Sequence, residues 1–148
     1  MRQLPAILLL LSCGIDIPDD AICTRTPTIM VCNLPTPDHY YEISTQVAKL
    51  AITLGLPDPT PWFHSVVIIA GYPVRHGRAG DYRSDGLIRI FNADSWWETD
   101  QGCLSGIVIH ELWHATLQVA CGECFADHND PTWDAIYDLR NYLSLVCG

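Results

Sequence analysis

The chain is organised around the stretch IHELWHA at residues 109–115. On a helix, residues four positions apart lie on the same face, so the imidazoles of His110 and His114 can reach one metal ion. Glu111 lies beside the first histidine, where a carboxylate can take a proton from a water at the metal without being a ligand itself. The stretch therefore predicts a helix that carries part of a hydrolytic zinc site.

The composition bounds the kind of protein that surrounds this helix. The 148 residues are 49% apolar, which suits one compact domain with a single core. The net charge is -9, with only 8 lysines and arginines and no basic run. Because nucleic acids and anionic lipid headgroups bind through clustered positive charge, we expect neither as a partner.

The N-terminus resembles a bacterial lipoprotein signal. One positive charge and an apolar run lead into the sequence LLSC at residues 10–13. In this interpretation residues 1–12 are removed, Cys13 carries the lipid, residues 13–21 form a tether and residues 22–148 form the domain. The apolar run is too short to span a bilayer, so the lipid is the only expected contact with the membrane. We expect export and anchoring at the cell envelope, on the periplasmic face of the outer membrane or at the cell surface. An ordinary signal peptide and an N-terminal segment buried in the fold are the alternatives.

The cysteines agree with export. Removing Cys13 from the seven leaves an even set of six, which in an exported small domain predicts three disulfides. That set consists of Cys23, Cys32, Cys103, Cys121, Cys124 and Cys147. The most local pair is Cys23 with Cys32. For the others we expect either a tight bridge between Cys121 and Cys124 or a bridge from one of these to Cys103 or Cys147.

Three helices are predicted from apolar periodicity and helix-boundary residues. The first covers residues 40–54, where a glycine ends it and three prolines keep it from resuming. The helix that carries the HExxH motif, residues 110–114, begins after Thr99 or Asp100 and ends near Ala120. The sequence DPTW at residues 130–133 opens the last helix.

The strands predict an α+β fold. Residues 65–70 form a continuous β-branched run typical of a buried central strand, and residues 86–92 predict a second strand beside it. A polar loop or irregular hairpin joins them, and residues 22–33 predict a loop or short hairpin. We therefore expect a short twisted sheet packed on the HExxH helix, with one further helix N-terminal to it and another C-terminal.

This order of elements resembles that of the zincin metallopeptidases. The resemblance covers residues 38–148 in the order of elements and residues 86–133 in sequence detail. It implies a zincin-like fold in which the strand just before the active helix lies at the sheet edge and pairs with an extended substrate. Residues 86–92 are the matching segment, and pairing at an edge would bind any peptide through main-chain hydrogen bonds.

A catalytic zinc site has three protein ligands and an open position, so His110 and His114 need a third partner. His128 is the first choice, because the sequence ADHNDP at residues 126–131 looks like the segment that carries the third histidine in metzincin-like sequences. The chain departs from the metzincin pattern at three points. Leu117 stands where metzincins have the turn glycine, and Ala120 stands where their third histidine normally falls. No methionine follows the site, so the Met-turn is absent.

Carboxylates are the alternatives for the third ligand. Asp134, which precedes Asp138 by four residues, resembles the carboxylate ligand and supporting aspartate of gluzincins. Asp127 and Glu123 are the next candidates for the third ligand. Cys121 and Cys124 with His128 could instead form a structural zinc cluster, although exported proteins usually place such cysteines in disulfides.

The implied activity is zinc-dependent hydrolysis of a peptide bond in a peptide or protein substrate, by a monomer. Glu111 is the expected general base, passing the proton of the attacking water to the leaving amine. A further donor to the oxyanion is needed besides zinc, and the sequence leaves five candidates: His76, Arg75, Arg78, Tyr72 and Tyr137. The alternative functions are a non-catalytic metal-binding or adaptor lipoprotein on the same scaffold and an inhibitor or toxin-like disulfide module.

Overall fold

The computed structural model describes residues 15–73, 75, 78–91 and 101–143. Several predictions concern positions outside this part of the chain and stay predictions. They are the signal at residues 1–12, the lipid on Cys13, the oxyanion candidate His76, the helix start at Thr99 or Asp100, the side chain of Cys103, and Cys147.

The described strands form one five-stranded mixed sheet with the order β1-β2-β3-β5-β4. Strands β2, β3 and β5 are parallel, and β1 and β4 pair antiparallel at the two edges. The predicted central strand is confirmed as β3, and the predicted N-terminal hairpin as β1 and β2. The strands are β1 (Cys23–Arg25), β2 (Met30–Cys32), β3 (Val67–Tyr72), β4 (Gly80–Tyr82) and β5 (Leu87–Phe91).

The edge strand next to the HExxH helix is β4, so the prediction that residues 86–92 lie at the edge is wrong. Strand β5 is flanked by β3 on one side and by β4 on the other. The segment between β3 and β5 turns back on itself, pairing Gly80 with Ile90 and Tyr82 with Ile88. Of the two predicted alternatives, a polar loop and an irregular hairpin, the structure has the hairpin. It covers the edge that β5 would otherwise expose.

Four α-helices complete the described part of an α+β domain, which confirms the predicted class. Helix α1 (Pro37–Thr53) connects β2 to β3, and α3 (Gln101–Cys121) carries the HExxH motif. A 3-10 segment (Gly122–Ala126) follows directly, and α4 (Trp133–Leu143) is the last described element. Helix α2 (Thr60–Phe63) is a separate single turn that the sequence did not predict. It forms because proline is tolerated in the first turn of a helix, where its missing N–H has no intrahelical partner.

The end of α1 is fixed by Gly55, as the sequence predicts. Gly55 has φ +80, a left-handed conformation that glycine adopts without steric cost. Its N–H donates to the carbonyl of Ile52 at 3.0 Å, and the N–H of Leu56 donates to that of Ala51 at 2.9 Å. These two bonds satisfy carbonyls that the helix end leaves open and turn the chain towards β3.

The sheet is buried on both faces, and the helices cover one of them. On this front face, alternate residues of β3 and β5, such as Ile68 and Ile88, join the main core with Val108 and Leu112 of α3. On the back face, the intervening residues Val67, Ile69 and Leu87 pack with Cys32 and Ile15. Ile15 is 8% exposed, so the segment expected to be a tether contributes a buried side chain to the domain. The HExxH helix is thus held against the front face.

Two disulfides lie in the described part of the chain. Cys23 pairs with Cys32 across the β1–β2 hairpin, which confirms the most local of the predicted bridges. Cys121 pairs with Cys124, which selects the tight bridge among the alternatives for these two residues. The second disulfide joins the end of α3 to the 3-10 segment.

Helix α3 is apolar and long for a domain of this size. Within the residues that the model describes, neither α3 nor any other helix combines the length and hydropathy of a membrane span. Its apolar side chains are those that form the core against the sheet.

Strand β4 lies so close to α3 that only glycine fits at position 80. A Cβ added there would lie 2.8 Å from Cγ2 of Ile107 and 2.9 Å from the carbonyl oxygen of Arg89. We expect Gly80→Ala to lower the free energy of unfolding by about 1–3 kcal/mol, the usual cost of overpacking. Chemical denaturation of the variant measures this loss.

Removing the Ile107 side chain, one of the two groups that crowd position 80, provides the control for this prediction. Ile107→Ala deletes the side-chain contact, so the double variant should be more stable than the sum of the two single losses implies. Additive losses would mean that crowding between β4 and α3 does not explain the glycine.

Candidate metal centre

Three histidines meet where α3 faces the chain that follows it. A single ring nitrogen from each of His110, His114 and His128 gives a set of three atoms that all lie within 4.8 Å of one another. The Nε2 atoms of His110 and His128 are 3.1 Å apart. Two nitrogens bound tetrahedrally to one zinc at 2.0–2.1 Å are separated by about 3.3 Å, so this spacing fits a shared ion. The three histidines could therefore hold a metal ion.

His114 is held in the tautomer that a ligand needs. Its Nδ1 lies 2.5 Å from the carbonyl oxygen of Phe125 in the 3-10 segment. A carbonyl only accepts hydrogen bonds, so Nδ1 carries the proton and Nε2 presents its lone pair to the centre. Burial lowers the pKa of His114, against the opposing effect of the Phe125 carbonyl, and the nearby His128 lowers it further. Both features favour the neutral imidazole that binds metals.

His128 reaches the centre because the chain after α3 is folded back onto that helix. The N–H of Asp127 donates to the carbonyl of Cys124 at 3.0 Å, which closes the 3-10 segment just before His128. Beyond His128, the indole nitrogen of Trp113 on α3 donates to the hydroxyl oxygen of Thr132 at 3.1 Å. The returning segment is therefore bonded to α3 after His128 through Thr132 and before it through the Phe125 carbonyl, which bonds His114.

The alternative carboxylates are not part of the three-nitrogen set. Asp127 uses Oδ1 to accept the N–H of Asn129 at 2.8 Å, so its carboxylate stabilises the turn around His128. Glu123 is exposed in the 3-10 segment, and Asp134 is exposed in the first turn of α4. Among the described residues, the donors that converge are thus the three histidines.

Glu111 is buried beside the centre. Its side chain is only 6% exposed although it directly follows His110 on α3. The pKa of Glu111 is raised to about 8, mainly by burial and also by the negative charge of Asp81, while the positive charge of Arg78 opposes both effects. A carboxyl group with a raised pKa that is close to its partners in a site is suited to accept and return a proton near neutral pH.

The raised pKa of Glu111 predicts a pH-dependent cost in the metal-free protein. Below pH 4.5 the group is protonated in both the folded and the unfolded chain, so it costs nothing. As the pH rises to about 8, only the unfolded chain ionises freely, and the free energy of unfolding falls. Glu111→Gln removes this loss, so with chelator present the variant should gain stability over the wild type as the pH rises from 5 to 8. Each pKa unit is worth about 1.4 kcal/mol, so the gain amounts to a few kcal/mol.

Denaturant titrations at both ends of this pH range measure the gain. Glu123→Gln, the same substitution at an exposed position, is the matched control. A difference between Glu111→Gln and the wild type that is equal at pH 5 and pH 8 would contradict the prediction.

The structure separates the candidates for the oxyanion donor. Tyr72 packs with the back-face cluster under the guanidinium of Arg89, on the opposite side of the sheet from α3. Arg75 lies over the ring of Phe91, a back-face residue of β5, at 6.0 Å. Tyr137 of α4, by contrast, has its ring 6.5 Å from that of His110. Arg78 is linked to Glu111 only through its positive charge, which lowers the pKa of that carboxyl group.

The edge strand β4 is tied to the same helix as the centre. The indole nitrogen of Trp62 donates to the hydroxyl of Tyr82 at 2.9 Å, and that hydroxyl donates to the side-chain oxygen of Gln118 on α3. Burial raises the pKa of Tyr82, which keeps the phenol protonated as a donor. The ring of Tyr82 also meets that of Phe125 edge-on, at 5.7 Å. The strand, the helix and the residue that orients His114 therefore form one packed unit.

Two contributors to the centre could not be identified from the sequence. The carbonyl of Phe125 is a backbone group, and no side-chain pattern reveals its direction. Trp133 was expected only at the start of the last helix. Its ring in fact lies within 5 Å of all three imidazole rings.

Comparison with known proteins adds no relative. No protein-family model matches this chain, and no curated protein or solved structure gives a significant match. The chemical case for the centre therefore rests on its own donor set and geometry.

Proposed function

We propose that this protein is a small zinc-dependent peptidase of zincin-like fold. The observation that carries the proposal is the convergence of His110, His114 and His128 beside the buried carboxyl group of Glu111. Three nitrogen donors with an adjacent carboxyl group outside the donor set are the composition of a hydrolytic zinc site. Zinc is favoured over magnesium or calcium, because those ions prefer oxygen ligands.

The residues of the chain divide the work of hydrolysis between them. The three imidazoles hold the ion, which when bound supplies an activated water and polarises the carbonyl to be attacked. Glu111 accepts the proton of the attacking water at its carboxylate and delivers it to the leaving amine. Tyr137, whose ring lies 6.5 Å from that of His110, is the first candidate to stabilise negative charge on the carbonyl oxygen. Arg78, whose positive charge acts on Glu111, is the second.

Strand β4 is the proposed site for the substrate backbone. It is the sheet edge nearest α3, it pairs with β5 on one side only, and Gly80 packs directly on Ile107 of α3. An extended peptide that adds to this edge would bind through main-chain hydrogen bonds and would be selected little by its sequence. Because β4 has only three residues, the edge matches a short stretch of peptide.

Export and lipid anchoring belong to the same proposal. The disulfide between Cys23 and Cys32 supports an oxidising compartment. The lipid on Cys13 rests on the resemblance of residues 1–13 to a lipoprotein signal. The mass of the mature N-terminus and the release of Cys13→Ser from membranes test it separately from the peptidase activity.

The peptidase proposal is tested on the purified wild-type protein. We expect about one zinc per chain by elemental analysis, and hydrolysis of an unstructured protein or of a peptidoglycan stem peptide. Chelation should abolish hydrolysis and added zinc should restore it.

The outcomes distinguish the alternatives. Zinc bound without hydrolysis of either substrate would favour the non-catalytic metal-binding or adaptor lipoprotein. A protein that binds no zinc and whose folding is indifferent to chelator would favour the disulfide module.

A further inference from the structure

Four aromatic rings form a regular group at the candidate centre. The ring centroids of the three histidines are 4.7–5.1 Å apart. The indole of Trp133 lies 4.7 Å from the ring of His110 and 4.9 Å from each of the other two. Because all six separations are nearly equal, the centroids lie at the corners of a nearly regular tetrahedron. Trp133 therefore stands over one face of the triangle made by the imidazoles.

The indole is fixed in this position from several directions. Trp133 is 2% exposed and is the first residue of α4. Its Nε1 donates to the carbonyl of Asp127 at 2.9 Å, the residue immediately before His128. Its backbone N–H donates to the carbonyl of Asp130 at 3.1 Å. The ring therefore cannot shift without disturbing the segment that delivers His128.

The face that Trp133 covers has no donor to offer a metal ion. An indole has one polar group, an N–H that only donates, and in Trp133 this group is already bonded to Asp127. The remaining atoms of the ring are carbon, and the ring centroid lies 4.7–4.9 Å from those of the three imidazoles. Neither water nor substrate could bind an ion at the position that this ring occupies.

We infer that Trp133 is a positioning residue that closes one side of the three-histidine triangle, so that any further ligand binds from the opposite side. This inference rests on the proposed function, because it concerns the metal ion that the three histidines would hold. Its consequence is a low coordination number, three nitrogens and one open position, instead of the octahedral set that three histidines and three waters would give. Such a site favours zinc over ions that prefer octahedral geometry.

Cobalt(II) is the probe for this consequence, because its visible absorption is strong in tetrahedral sites and weak in octahedral ones. The full-length mature protein loaded with cobalt(II) should show strong bands. Trp133→Ala opens the covered face, so its bands should weaken and its affinity for zinc should fall by about tenfold or more, the scale for loss of a supporting residue. Trp133→Phe keeps an aromatic ring there and should retain strong bands.

Fluorescence supplies a second measurement that does not depend on the alanine variant folding. Cobalt(II) should quench Trp133 strongly, so Trp133→Phe should remove most of the metal-dependent quenching. Trp62→Phe is the control, since the indole of Trp62 bonds Tyr82 on the edge strand instead of the segment that carries His128. That control should keep the wild-type quenching.

Two results would overturn the inference. They are a folded Trp133→Ala with the cobalt bands and zinc affinity of the wild type, and quenching that is undiminished in Trp133→Phe. If the wild type binds zinc but either result is found, only the role of Trp133 fails. If the wild type binds neither zinc nor cobalt(II), the proposed function fails and this inference fails with it.

Discussion

Glu111→Gln is expected to reduce peptide hydrolysis by about a thousandfold, within the range that a general base contributes. Glutamine has nearly the same shape as glutamate but cannot accept the proton of the attacking water. Zinc content should stay at the wild-type value, because Glu111 is not among the three converging nitrogen donors. Hydrolysis rates and elemental analysis of the same preparation measure the two effects together.

Glu123→Gln is the control for this substitution, since it removes a carboxylate from an exposed position near the centre. It should leave the rate of hydrolysis unchanged. Loss of zinc from Glu111→Gln would make Glu111 a ligand instead of a base. Retention of the wild-type rate would remove it from the chemistry altogether.

His128→Ala is expected to lower the zinc content to well below one per chain. The variant keeps His110 and His114, but two nitrogens bind an ion far more weakly than three. The loss of affinity should reach at least the roughly 100-fold that loss of a supporting residue can cost. Zinc titration in competition with a chelator of known affinity measures the loss.

The controls for His128→Ala test the rival ligands. Asp134→Ala and Glu123→Ala should keep zinc at the wild-type content. Asp127→Ala should lose part of it, because its carboxylate orders the turn around His128. His39→Ala controls for the loss of a histidine elsewhere, since His39 bonds Ser105 at 2.6 Å. Full zinc occupancy in His128→Ala together with loss in Asp134→Ala would replace the three-histidine centre by the gluzincin-like arrangement.

The sequence predicts most of the scaffold around the centre. The periodicity of α1, the β-branched run of β3 and the HExxH helix are long or distinctive enough to be recognised without the structure. Gly55 ends α1 with the left-handed conformation that its position implies. These elements are predictable because each carries its own local signal: apolar periodicity in α1, a continuous β-branched run in β3 and two histidines four residues apart in α3.

The edge strand could not be predicted for a physical reason. Strand β4 has three residues, all of intermediate burial, in a segment rich in glycine and arginine. It shows no alternation, because its place is fixed by pairing with β5 and by the close approach of Gly80 to α3. Neither contact is encoded in the segment itself.

The convergence of the three histidines was predictable from the sequence, but their surroundings were not. His110 and His114 follow from helical spacing, and His128 from a resemblance in the returning segment. The bond from His114 to the Phe125 carbonyl and the position of the Trp133 ring depend on how the chain turns between residues 121 and 133. A turn of this kind is decided by tertiary packing, which single-residue patterns do not report.

The disulfide between Cys121 and Cys124 has a consequence for how the protein would lose its ion. A metal bound by His114 and His128 would be a covalent-like cross-link across the intervening chain, and the disulfide is a smaller cross-link nested inside it. Each cross-link restricts the unfolded chain, but the disulfide persists when the metal is removed. Loss of the metal would therefore free the residues around His128, while the disulfide would still hold the end of α3 to the 3-10 segment. The ion could then leave and return through a local opening, without melting the sheet.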